Sequence, residues 1–148
     1  MMSIRSAQLS DAPAIERLLD QLGYTGARHF LPQKLRAMLA DPDERILVYE
    51  TTAGVVAFVS VHFVPQIAVA GDFARISYFS VDDSVRGQGI GGEMEEYVVM
   101  LAKERGCDRI EVHCHERRVD AHRFYFRQGY EEAPKYLIKM ITSRWPTF

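Results

Sequence analysis

Apolar residues recur at helical spacing early in the chain and then give way to strand-like runs. Ile15, Leu18, Leu19 and Leu22 fall three and four apart. Ser10 and Asp11 before them suit an N-cap, and Gly23 behind them suits a helix stop. A second helix is expected over residues 29–39, with Leu31, Leu35, Met38 and Leu39 as its stripe, ended by Asp41-Pro42-Asp43. A short strand over residues 3–7 precedes both. Residues 46–51 and 55–64 flank a turn at Ala53-Gly54 and read as an antiparallel hairpin. Pro65 stops the second run, and residues 73–81 form a third strand rich in β-formers.

The texture then changes. Arg86-Gly87-Gln88-Gly89-Ile90-Gly91-Gly92 leads into an amphipathic helix whose buried face is Met94, Tyr97, Val98, Leu101 and Ala102, closed by Gly106. A strand over 109–114, a helix over 118–128 closed by Gly129, and a last strand over 136–141 complete the order β-α-α-β-β-β-α-β-α-β. This is an α/β chain with a mixed sheet. With no repeat or linker, residues 1–148 read as one domain.

The glycine loop carries the strongest chemistry. Four glycines in six residues cost helix propensity, so a plain turn does not account for them. Glycine lets the backbone approach a ligand and adopt positive φ. The first turn of a helix offers unpartnered N–H groups and a dipole that attract an anion. Gly87, Gly89 and Gly92 satisfy G-x-G-x-x-G, and Glu111 lies about 20 residues on, as a dinucleotide fingerprint asks. Yet the motif follows an apparent antiparallel hairpin past mid-chain, and too little chain remains for a doubly wound sheet. No Gly-Lys-Ser/Thr follows for a phosphate-loop NTPase.

Arg86-x-x-Gly89-x-Gly91, preceded by Phe79-Ser80-Val81-Asp82, resembles the GNAT N-acetyltransferase superfamily, and the likeness spans nearly the whole chain. It implies a mostly antiparallel mixed sheet flanked by helices. It implies acetyl-CoA as co-substrate and an amine acceptor, with no metal. Phe79, Ser80 and Val81, together with Arg86, Gly87, Gln88, Gly89, Ile90, Gly91 and Gly92, would contact the coenzyme. Main-chain groups of Phe79 and Val81 would bond the pantetheine arm between splayed fourth and fifth strands. Asp120-Ala121-His122-Arg123-Phe124-Tyr125, followed by Gln128-Gly129-Tyr130, resembles the later family motif. It is nearest to a branch with aminoalkylphosphonate N-acetyltransferases. By that likeness Tyr125 protonates the departing thiolate as a general acid, and Ala121 and Phe124 lie beside the coenzyme. Arg118 stands where many members have Asn. The fourth strand shows Arg75, Ser77 and Tyr78 where a carboxylate is common. The base is open among His62, Glu111, His113, Glu116 and a water chain. A non-catalytic acetyl-CoA binding module, or a protein N-terminal or lysine acetyltransferase, is the alternative.

Composition narrows the classes further. The formal net charge is −2, with 47% apolar and 26% charged residues. No basic stripe suits nucleic acid, no apolar run approaches the roughly 20 residues of a membrane span, and the first residues do not resemble a signal peptide. A cytoplasmic protein is expected. Cys107 and Cys114 on one strand would stand roughly 23 Å apart, too far for a disulfide, which needs about 7 Å or less. His113, Cys114, His115 and Glu116 resemble a metal cluster but place too few ligands on one strand face for a closed zinc site. Arg117, Arg118 and Arg123 read as a solvated helix start or as partners of coenzyme phosphates. Exposed strand edges and the family likeness suggest a homodimer.

Overall fold

The computed structural model describes residues 3–113, 118–133 and 136–142. The chain divides into two compact units, Met1–His113 and Cys114–Phe148. The first holds a five-stranded sheet in the order β1-β2-β3-β4-β5. Its strands are β1 (Ser3–Ser6), β2 (Glu44–Thr51), β3 (Gly54–Val64), β4 (Asp72–Val81) and β5 (Cys107–Val112). The first four pair antiparallel and β5 pairs parallel to β4. A parallel pair needs a crossover, and α3 (Ile90–Glu104) supplies it.

Helices α1 (Ala12–Gln21) and α2 (Leu31–Leu39) cover one face. Ile15, Leu18 and Leu35 pack there against Ile46, Val48 and Phe58. By the two-residue period of a strand, Leu47, Val59, Val61 and Ile76 point to the other face. There α3 packs on β3, β4 and β5 and buries Met94, Val98 and Leu101. Truncating Leu18, fully buried, to alanine is expected to cost about 2–5 kcal/mol.

The element boundaries follow local chemistry. Asp11 is not an N-cap of the usual extended kind. It lies in a helical turn, accepts the Gln8 N–H at 2.7 Å and takes both terminal nitrogens of Arg5, at 2.8 and 3.0 Å. Helix α2 begins after a separate turn at Ala27–His29, because Pro32 suits only the first turn of a helix.

In the second unit, α4 spans Val119–Arg127. The strand expected over 136–141 is not formed: residues 136–142 carry neither helix nor strand, and Leu137 and Ile141 are exposed. Its apolar run provides no ladder partner by itself, and a strand exists only through pairing.

Candidate active site

Strands β4 and β5 pair from Asp72↔Cys107 to Ile76↔Val112, and β4 then runs on beside β3 to Val81. The ladder to β5 ends there, while β3 pairs with residues 78–81 on the other side as far as Ala57↔Val81. The Asp82 N–H donates to the Val56 carbonyl at 2.8 Å. Peptide directions alternate along a strand, so Ser80 addresses β3, whereas Phe79 and Val81 turn their main-chain groups away from β3. Arg86 Nε donates to the Val81 carbonyl at 3.3 Å. Ser80 offers nothing to the cleft: its main chain pairs with β3 and its buried hydroxyl donates to the Leu18 carbonyl at 3.1 Å. It braces the wall against α1.

Beyond β4, Asp82 accepts the Ser84 N–H at 3.0 Å and its hydroxyl at 2.8 Å, and it meets Arg17. The Ser84 bonds hold its carboxyl below the ordinary range against the opposing effect of burial, and Arg17 adds a lesser pull in the same direction as Ser84. Gly87 and Gly89 both adopt φ of +83°, and Gly89 is the N-cap of α3. The Glu93 N–H to Gly89 carbonyl bond, 3.1 Å, closes the first helical turn. The N–H groups of Ile90, Gly91 and Gly92 precede it, and helix geometry leaves them without intrahelical acceptors. Ile90 anchors the turn with a buried side chain, while Gly87, Gln88 and Gly89 are exposed.

The loop's side chains carry mixed charge. Arg86 lies 2.9 Å from Asp83, both exposed, a pairing of small energy. Glu93 accepts from the buried Tyr49 hydroxyl, which keeps that phenol protonated. Attraction for an anion rests on the backbone and the dipole more than on side chains. An added Cβ at Gly87 or Gly89 would meet no protein atom within 4 Å, so the space in front of the turn is open. These features fit a coenzyme diphosphate, with the arm along the β4 edge.

At the fork of the two strands lies a cavity of about 220 Å³, lined by Tyr24, Arg75, Ile76, Ser77, Tyr78 and His113. Its shape depends on a bulge. Ser60 pairs with Tyr78 but Val61 pairs with Ile76, so Ser77 is an extra residue. Simple alternation would put Arg75 and Tyr78 on opposite faces. The extra residue puts both on the α1 side, where Tyr78 meets Tyr24 edge-on at 5.3 Å. Arg75 donates to Glu111 at 3.3 Å and stacks over Phe73, and its Nε is buried with no acceptor among the described residues.

The candidate bases separate here. His62 is paired with Glu44. Burial pushes the Glu111 carboxyl up, but hydrogen bonds from Arg109 and Arg75 outweigh it and leave the carboxyl below its ordinary range. His113 lines the cavity itself. Glu116, with Cys114, His115 and Arg117, lies outside the described residues. Cys107 carries a free thiol that burial pushes up, disfavouring thiolate. Tyr24 was not singled out from sequence. It is one aromatic in a glycine-flanked loop, with no periodic signal.

In the second unit, Ala121, Phe124, Tyr125 and Gln128 form the less exposed side of α4, with Tyr125 buried. Phe124 and Tyr125 meet edge-on at 5.1 Å. Arg118 is exposed at the helix start, where its carbonyl accepts the His122 N–H. Arg123 and Asp120 form a loose exposed pair.

A five-stranded sheet whose β4–β5 ladder ends before a glycine turn at the start of α3 defines an α/β protein of mixed sheet. The acetyltransferase (GNAT) family pattern matches residues 12–130, and the chain belongs to that family. An aminoalkylphosphonate N-acetyltransferase from Salmonella typhimurium is 27% identical over 135 residues, 88% of this chain and 85% of that protein. Glucosamine-6-phosphate N-acetyltransferase from Arabidopsis thaliana superposes with a TM-score of 0.83 at 23% identity, covering 96% of this chain and 99% of that one. A transcriptional regulator from Bacillus halodurans superposes at 0.81 with 24% identity, covering 95% and 100%. At such identities these structures share the fold. The protein is thus an N-acetyltransferase, of a family that uses acetyl-CoA. Among the described residues no helix is long and apolar enough to cross a membrane, and no group of three or more metal-ligating side chains forms.

Proposed function

We propose that this protein transfers acetyl from acetyl-CoA to a primary amine of a small molecule, by direct attack while both are bound. The observation that carries the reading is the end of the β4–β5 ladder at Ile76↔Val112, on a strand that runs on into the turn at Gly87–Gly89. The N–H groups of Ile90, Gly91 and Gly92 would hold the diphosphate, with Gln88 and Arg86 beside it. Phe79 and Val81 would hold the arm by main-chain bonds. One main-chain N–H at that edge would polarise the thioester carbonyl.

In the transfer, the amine lone pair forms the C–N bond and the C–S bond breaks. The thiolate takes the Tyr125 phenolic proton, and the amine gives its proton to a base. The products are an acetamide and the free thiol. His113 is the base favoured here, because it lines the cavity at the fork. Ala121 and Phe124 would flank the coenzyme, and Arg118 would reach its phosphates. One acetyltransferase domain would comprise both compact units, since the family match runs across them. A cytoplasmic location and a homodimer belong to the same reading.

The test is calorimetric titration of acetyl-CoA, followed by thiol release against a panel of amines. Binding with release supports the enzyme. Tight binding with no release for any amine, including peptide N-termini, would make the protein a binding module.

A further inference from the structure

The cavity at the strand fork has a definite chemical character. Among the described residues its lining supplies one permanent cation, two phenols, one serine, one histidine and one isoleucine, and no carboxylate. Arginine presents five N–H donors in a planar fork that matches an oxyanion. The protein leaves that fork under-used. Arg75 makes one long bond to Glu111, at 3.3 Å. Glu111 instead serves Arg109, which approaches its Oε2 with both Nε and Nη2 at 2.7 Å. The Arg75 Nε is buried and lacks an acceptor among the described residues, an arrangement that destabilises unless a partner arrives.

Tyr24 and Tyr78 stand edge-on beside the guanidinium, and the Ser77 bulge is what aims Arg75 and Tyr78 into one cavity. A polycationic amine would meet Arg75 with like charge. An anionic one would find a bidentate partner and hydroxyl donors.

We infer that the acceptor is an amine that also carries an oxyanion, a carboxylate or a phosphonate, and that Arg75 holds this group while the nitrogen faces the thioester. The inference rests on the acetyl-transfer reading above and specifies its second substrate.

The experiment compares the full chain and Arg75→Met on matched amines: 3-aminopropanoate against propylamine, and 2-aminoethylphosphonate against ethanolamine. Loss of a charge-assisted bond of this kind corresponds to about 10- to 100-fold in kcat/KM. The wild type is expected to favour the anionic member of at least one pair by that factor. Arg75→Met should collapse the ratio, mainly through KM, with acetyl-CoA affinity by calorimetry and the melting temperature retained. Arg75→Lys, a point charge without the fork, should restore part of it. The two pairs separate a carboxylate from a phosphonate acceptor. A wild-type ratio near one, a ratio that survives Arg75→Met, or no transfer to any anionic amine despite tight acetyl-CoA binding overturns the inference. Failure of the wild type to bind acetyl-CoA would instead remove the acetyl-transfer reading, and this inference with it.

Discussion

Tyr125 and Tyr130 are joined twice: their rings lie 5.2 Å apart at 64°, and the Tyr130 N–H donates to the Tyr125 carbonyl at 3.0 Å. The Gly129 N–H donates to Phe126 at 3.1 Å, which completes a Schellman end to α4 with its usual side-chain contact. The motif's Gly-Tyr ending thereby holds the proposed acid in place. Gly129 has φ of +94°. Gly129→Ala should destabilise the end of α4 by about 1–2 kcal/mol and lower kcat. Thermal melts with steady-state rates check this; an unchanged melt and rate would mean the cap is dispensable.

Tyr125→Phe keeps the ring and removes the proton. Turnover should fall about 10²-fold or more, with acetyl-CoA affinity nearly unchanged. A pre-steady-state measurement is needed, since full activity with chemistry limiting would strip Tyr125 of its role.

Gly89→Val should abolish acetyl-CoA binding. A β-branched residue at φ +83° strains the turn, and its side chain projects into the open space before the helix. Calorimetry reads the result, and retained affinity would defeat the loop assignment.

His113→Gln should lower kcat/KM by about 10²-fold while leaving coenzyme affinity intact. A rate equal to wild type would return the role of base to water or to a residue outside the described segments.

Asp11 reports on pH. Hydrogen bonds from Arg5, aided by the Gln8 N–H and opposed by burial, hold its carboxyl below the ordinary range. A depressed folded-state value means its contribution is complete above the unfolded value, about pH 4, and is lost as pH falls further. Asp82 and Glu111 shift the same way. Denaturant titrations should therefore show stability dropping below about pH 4. Asp11→Asn should cost about 2 kcal/mol at neutral pH and flatten that acid limb. An identical limb in the variant would show that Asp11 does not contribute to it.

The chain order of elements up to α4 was legible locally. Apolar spacing, caps and breakers act over three or four residues, so α1, α2 and the hairpin could be read directly. The turn at Gly87–Gly89 was legible for the same reason: positive φ and unpartnered helix amides are properties of a few consecutive peptides.

The cavity was not legible. Period-two alternation puts Arg75 and Tyr78 on opposite faces, and only pairing with β3 reveals Ser77 as an extra residue. Glu111 reaches Arg75 from a strand that arrives after a whole helix. Tyr24 arrives from the far end of α1. Strand register and helix docking are settled by burial summed over the sheet, a quantity no short window of residues contains. The sequence by itself therefore determined the glycine turn, while the tertiary structure decided which side chains line the cavity at the strand fork.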